Sequence, residues 1–176
     1  MSPSFTSLLT GFEPAAIENG GGTVYGLWPD LTLAFFNSGW SMFAAQNGGE
    51  AAISQRWPLG RSVLEAVAEP LQGFFDENYR RCLAENRPWE HTYECSSPEL
   101  YRKFHMTAYP LGTAEGILVV NSLRVEVAHG REFFAAVEEQ YRRPDGIITQ
   151  CCHCRWIRRA RAEQVCDWVP EWVRSQ

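Results

Sequence analysis

The chain has 176 residues, a formal net charge of −5, 45% hydrophobic and 13% aromatic residues. That much apolar side chain excludes a chain disordered by composition and suffices for a sizeable core. The acidic balance also lacks the positive charge that marks binders of nucleic acid or anionic membranes.

The opening "MSPSFTSLLTGFEPAA" has neither the basic start nor the apolar run of a secretory signal. No stretch approaches the roughly 18 apolar residues of a membrane span. A cytoplasmic chain is expected, with no membrane or nucleic-acid partner, and its six cysteines are expected as thiols rather than disulfides. The arginine run Arg155, Arg158, Arg159, Arg161 reads as solvated surface.

Residues 1–22, ending in "NGGG", read as a flexible lead. A strand is predicted over Thr23–Trp28, and Pro29–Asp30 turns the chain. Leu31, Leu33 and Phe35 then alternate with Thr32 and Ala34, the period of a half-buried strand. Asn37 is placed to cap a short helix carrying Trp40, Phe43 and Ala44, which "NGGE" stops. Pro58 and Gly60 break the chain before a short helix over Ser62–Val67. After Pro70, Leu71, Phe74, Phe75, Asn78, Tyr79, Cys82 and Leu83 form one helical stripe, on which Cys82 packs as a small hydrophobe.

Three strands follow: Trp89–Cys95, Leu100–Tyr109 across the "SSPE" turn, and Ile117–Val125 after a turn at Gly112–Gly116. The spacing predicts a helix over Gly130–Arg142 with Phe133, Val137 and Tyr141 on one face, ended by Pro144 and Gly146. The closing "DWVPEWV" must dock, since Trp156, Trp168 and Trp172 would otherwise face water. The order defines an α+β chain around one antiparallel sheet.

Two stretches, "YGLWPDLTLAFFNSGW" and "NRPWEHTYECSSPELYRKFHMTAYPLG" followed by "ILVVNSLRV", together resemble a PAS domain. The likeness covers about residues 23–126 and implies a five-stranded antiparallel sheet flanked by helices. The tail "QCCHCRWIRR…DWVPEWV" is similar to a Cys-x-x-Cys segment with a tryptophan-rich helix that follows PAS-type modules in some bacterial signalling proteins. The resemblance thus divides the chain into a lead (1–22), a PAS-like domain (23–126), and a C-terminal helix with a cysteine-rich tail packed on the core (127–176). It implies sensing of a small ligand or cofactor and relay to a downstream signalling protein, with a homodimer as one option. It names no pocket residue and no ligand.

Cys151-x-x-Cys154 is the most specific chemical signal, because the turn brings both sulfurs to one side. A closed zinc site needs about four ligands. Cys95, at a strand end, is the first candidate to join the pair, and His105, His129 and His153 compete for the fourth place. Cys95 ranks above His105, because residues that far apart along a hairpin reach one ion only through a bulge. The expected metal set is Cys95, Cys151, Cys154 and His105. Read as a dithiol switch, the pair gains thiolate character from the neighbouring arginines; read blandly, it packs. Haem would need His91 or His105, since the main helix has no histidine, and no flavin-adduct cysteine is evident. Catalysis is not expected: nucleophile-elbow, phosphate-loop and metalloprotease motifs are missing, and Asp76, Glu90 and Glu94 read as surface charge. Three functions stay open: a PAS-type sensor, an interaction adaptor with structural zinc, and a thiol switch.

Overall fold

The computed structural model describes residues 4–47, 55–97, 99–151 and 154–174. Five strands, β1 (Thr23–Leu27), β2 (Leu33–Phe36), β3 (Trp89–Glu94), β4 (Leu100–Leu111) and β5 (Gly116–Ala128), form one sheet in the order β2-β1-β5-β4-β3. Among the described residues the α-helices include α1 (Pro14–Asn19), α2 (Ser38–Gln46), α3 (Glu69–Glu85), α4 (Glu138–Tyr141) and α5 (Pro170–Arg174). Strands β6 (Ile157–Arg159) and β7 (Ala162–Asp167) pair separately as a hairpin. The chain groups into two compact units, Met1–Thr92 with His105–Ser122, and Tyr93–Phe104 with Leu123–Gln176. This division cuts across β3, β4 and β5.

In the first unit β1 is the pivot. It pairs antiparallel with β2 (Tyr25 opposite Phe36) and with β5 (Thr23 opposite Asn121, Leu27 opposite Ile117). Leu27, Leu33, Met106, Ala108, Ile117, Leu118 and Val119 are buried. Leu31 is buried too, but in the turn before β2, with a left-handed φ of 65°.

Asn37 caps α2 as expected. Its Oδ1 accepts from the Trp40 and Val24 amides, while its Nδ2 donates to the Ile17 and Gly22 carbonyls. One buried side chain thereby ties α2 to β1 and to the N-terminal segment. In α3 the predicted stripe buries Asn78, Tyr79, Cys82 and Leu83, and the Cys82 thiol donates to the Ala108 carbonyl at 3.4 Å.

The lead is a correction. Its described residues pack: Phe5 and Ile17 are buried with Val24, Leu111 and Leu118. Phe5 meets Trp28 edge-on at 5.2 Å and stacks on Phe35 at 6.3 Å. It fits because Gly26 has no side chain; a Cβ there would lie 2.2 Å from the ring.

In the second unit Tyr141, Ile157 and Val169 form a core with Phe134, Ala136, Ile148 and Trp172 against it. The helix expected over 130–142 is confined to Glu138–Tyr141. Tertiary pairing overrides the local pattern: the Phe134 amide donates to the Trp168 carbonyl, and Phe133 bridges Trp168. Nor do the three predicted face residues share a face, since Tyr141 is fully buried while Phe133 is 59% exposed. The predicted docking of Trp168 holds within this unit, where it is fully buried.

Candidate functional site

Behind α3, the first unit holds a buried phenol pair. The Tyr25 and Tyr79 hydroxyls lie 3.0 Å apart, and the Tyr79 hydroxyl donates to Met106 Sδ at 3.6 Å. Burial pushes the Tyr25 phenol up to about 12, offset only in part by its hydrogen bonds with Tyr79 and Asn121. In the second unit Tyr141 reaches the same value through burial, then its hydrogen bond to Asp167 and that carboxylate's charge.

These shifts give a pH prediction. An unfolded tyrosine ionises near 10, so the fold favours the neutral phenols. Their contribution to stability is complete below about pH 10 and is lost as pH rises from about 10 to about 12. Phenolate absorbance should show Tyr25 and Tyr141 among the late-titrating tyrosines, and Tyr25→Phe and Tyr141→Phe should each remove one late component.

At the end of α3 the chain turns sharply. Asn86 is left-handed (φ 48°), its amide donates to the Leu83 carbonyl, and the Arg87 amide donates to the Cys82 carbonyl. This C-cap and Pro88 lead straight into β3. The turn leaves a pocket of about 240 Å³ lined by Arg81, Cys82, Glu85, Arg87, Pro88, Trp89 and Glu90. Trp89 is wedged edge-on against Phe75 and Tyr79 at 5.5 and 5.1 Å, and stacks on His91. The Arg81 guanidinium is anchored on Asn78 Oδ1. Two guanidiniums, two carboxylates and an indole therefore share one opening. Motif reading missed this pocket; "ENRPW" after a helical stripe was its only trace.

The second unit gathers the cysteines. The Cys151 and Cys154 thiols are hydrogen-bonded to each other, and the Trp156 amide donates to the Cys154 sulfur. The turn is closed by the Arg155 amide on the Cys151 carbonyl at 3.0 Å and the Cys151 amide on the Trp156 carbonyl at 2.8 Å, with Arg155 left-handed (φ 63°). Both sulfurs are thus on one side, as the spacing implied.

Their chemistry differs from the expectation that arginines promote thiolate. Burial raises the Cys154 thiol, outweighing the Trp156 amide, and Cys151 and Glu94 push it further up. Surrounding protein raises Cys95 as well, although that residue keeps an exposed surface; Arg155 and Arg102 pull it down, and Glu94 pushes it up. Desolvation exceeds the guanidinium effect at Cys95, and it is the largest cause of the shift at Cys154.

The other expected ligands stand as follows. Cys95 follows β3, its amide donating to the Arg102 carbonyl. His105 is on β4 in the first unit, with Nδ1 3.2 Å from the Thr92 hydroxyl and Nε2 4.0 Å from Glu90. His129 Nε2 donates to the Ser97 carbonyl. Cys152 and His153 lie outside the described residues. Among the described residues, no three His, Cys, Asp or Glu side chains stand together as a metal site. None of their helices is long and apolar enough to cross a membrane.

A hairpin, then helices, then three strands closing a sheet of order β2-β1-β5-β4-β3 is a PAS-like α+β fold. Solved structures similar to the chain include the PAS domain of Bordetella pertussis BvgS (15% identity, TM-score 0.46, 68% of this chain and 87% of that one). Another is a sensory box sensor histidine kinase from Vibrio cholerae (10% identity, TM-score 0.42, 68% and 88%). A third is the PAS domain of an HTR-like protein from Haloarcula marismortui (18% identity, TM-score 0.36, 62% and 92%). No protein-family model and no curated protein matches the sequence.

Proposed function

We propose that the chain is a non-catalytic PAS-type sensory module that takes up a small charged ligand at the α3–β3 turn and relays its presence to a partner protein. The observation carrying this reading is the pocket of Arg81, Arg87, Glu85, Glu90 and Trp89. Its volume is below that of common cofactor sites, and its lining carries both signs of charge, so it suits a zwitterion of amino-acid size. One guanidinium takes the carboxylate, a carboxylate takes the ammonium, and Trp89 supplies the apolar wall. Strand β3 carries two of the lining residues at its start and Glu94 at its end. For the relay, β5 offers Leu123, Val125 and Val127, alternate residues all exposed. Thermal-shift measurements with a panel of small zwitterions test the reading. One member should raise Tm, and Arg87→Ala should abolish the rise; a rise that survives both Arg87→Ala and Arg81→Ala would place the ligand elsewhere.

The convergent thiols favour a second reading, a zinc ion on Cys151 and Cys154. Cys95 and His105 are the completing ligands proposed from sequence. If zinc is bound structurally, metal affinity contributes directly to folding free energy. Cys151→Ser should then lower Tm by about 4 °C or more, and a chelator should bring the wild-type chain to the same value. A dithiol switch gives the opposite: unchanged Tm in the variant, unchanged Tm with chelator, and loss only of the response to peroxide.

A further inference from the structure

Among the described residues of the second unit, three side-chain polar atoms are buried without a hydrogen-bond partner: Arg131 Nη1, Trp168 Nε1 and His129 Nδ1. They belong to one cluster. The Arg131 guanidinium carbon lies 4.5 Å from the Trp168 ring centre, 5.4 Å from Trp156 and 5.6 Å from Tyr101. Its Nη2 donates to Glu94 Oε1 at 2.7 Å. His129 lies against Trp168 with ring centres 4.6 Å apart. Three aromatic rings and a carboxylate around one cation make the arrangement by which proteins hold organic ammonium ions. Arg159, by comparison, meets the single ring of Phe134.

The resident side chain fits this enclosure poorly. A guanidinium carries five N–H donors; here Glu94 takes one end, and Nη1 is sealed from water with no acceptor. An unpaired buried donor costs about 1–3 kcal/mol, more when charged. A quaternary ammonium has no N–H to leave unpaired and needs only ring faces and a counter-charge. The two other orphans extend the match. The Ser97 carbonyl can only accept, so in the neutral ring the His129 proton is on Nε2 and Nδ1 offers a lone pair. Trp168 Nε1–H is a donor. A hydroxyl near the cation can accept from the indole and donate to the imidazole.

We propose that Tyr101, Trp156, Trp168 and Glu94 form a binding site for a hydroxyalkyl quaternary ammonium ion, and that Arg131 fills it as an internal competitor. Arg131 reaches the site from the irregular stretch between β5 and α4, which Phe134 and His129 hold in place. Arrival of the ligand therefore exchanges one cation for another by displacing the Arg131 side chain alone. The site shares no residue with the pocket at Arg87, so either assignment can fail alone.

The test uses the full chain carrying Arg131→Ala, with tryptophan fluorescence read against choline chloride, tetramethylammonium chloride, N-acetylarginine methylamide and sodium chloride. Choline should give a saturable response in the millimolar range, about tenfold tighter than in the wild-type chain. Tetramethylammonium should bind more weakly, and Glu94→Gln in the same background should weaken both. A folded Arg131→Ala chain that answers choline no better than sodium chloride overturns the proposal, as does a response to the arginine amide alone. Should that variant not fold, the indole N–H resonances of Trp156 and Trp168 in the wild-type chain decide. A saturable shift with choline, unmatched by salt, supports the site, and flat titrations overturn it.

Discussion

Trp168→Ala is expected to destabilise the chain by about 3–5 kcal/mol, the range for deleting a fully buried large aromatic. Trp168 is fully buried, and its ring is the surface against which His129 and Arg131 are packed. Its backbone carbonyl, which accepts from the Phe134 amide, is untouched by the change, so the loss reports the ring alone. The cavity would also strip Arg131 of its nearest aromatic face while leaving Nη1 without an acceptor. Urea unfolding should show the lower midpoint, and hydrogen exchange should show protection falling across β6, β7 and the Phe134 amide. A loss under about 1 kcal/mol would mean that the ring is not buried as described.

Asn37→Ala should cost nearly as much, about 3–5 kcal/mol, for a different reason. The side chain is 3% exposed and makes four hydrogen bonds, accepting from the Val24 and Trp40 amides and donating to the Ile17 and Gly22 carbonyls. An N-cap alone is worth about 1 kcal/mol; the remainder is the cost of leaving buried backbone groups unpaired. Asn37→Asp can still accept both amides, but it presents a carboxylate to the two carbonyls. It should therefore fall between wild type and alanine. Chemical denaturation with exchange measured at the Val24 and Trp40 amides checks both variants.

The sequence reading succeeded where structure is set locally. Alternation around β2, the stripe of α3 and the cap at Asn37 each depend on neighbours a few residues away, and each was legible. It failed where a distant partner decides. The apolar spacing of Phe133, Val137 and Tyr141 mimics a helix, but the Phe134 amide is claimed by Trp168, thirty-four residues on. The slot that receives Phe5 is a missing side chain at Gly26, and nothing local to the predicted strand Thr23–Trp28 shows what fills it. Strand β6 was hidden by its arginines, Arg158 and Arg159.

The site was legible by halves. Two residues between Cys151 and Cys154 imply that both sulfurs face one way, and they do. The direction of the Cys154 shift was not legible, because the arginines are adjacent in sequence while the desolvating groups come from elsewhere in the fold. The enclosure around Arg131 draws on residues 94, 101, 131, 156 and 168, a set no local pattern unites. The α3–β3 pocket depends on one left-handed residue, Asn86, which turns the chain between two charged runs.

Native mass spectrometry of the purified chain beside its Arg87→Ala variant tests the sensory reading most directly. A non-covalent adduct of amino-acid size on the wild-type chain, missing from a folded variant, is the outcome expected from paired guanidiniums and carboxylates around Trp89. Equal adducts on both chains, or none on either after incubation with every zwitterion in the panel, would contradict it.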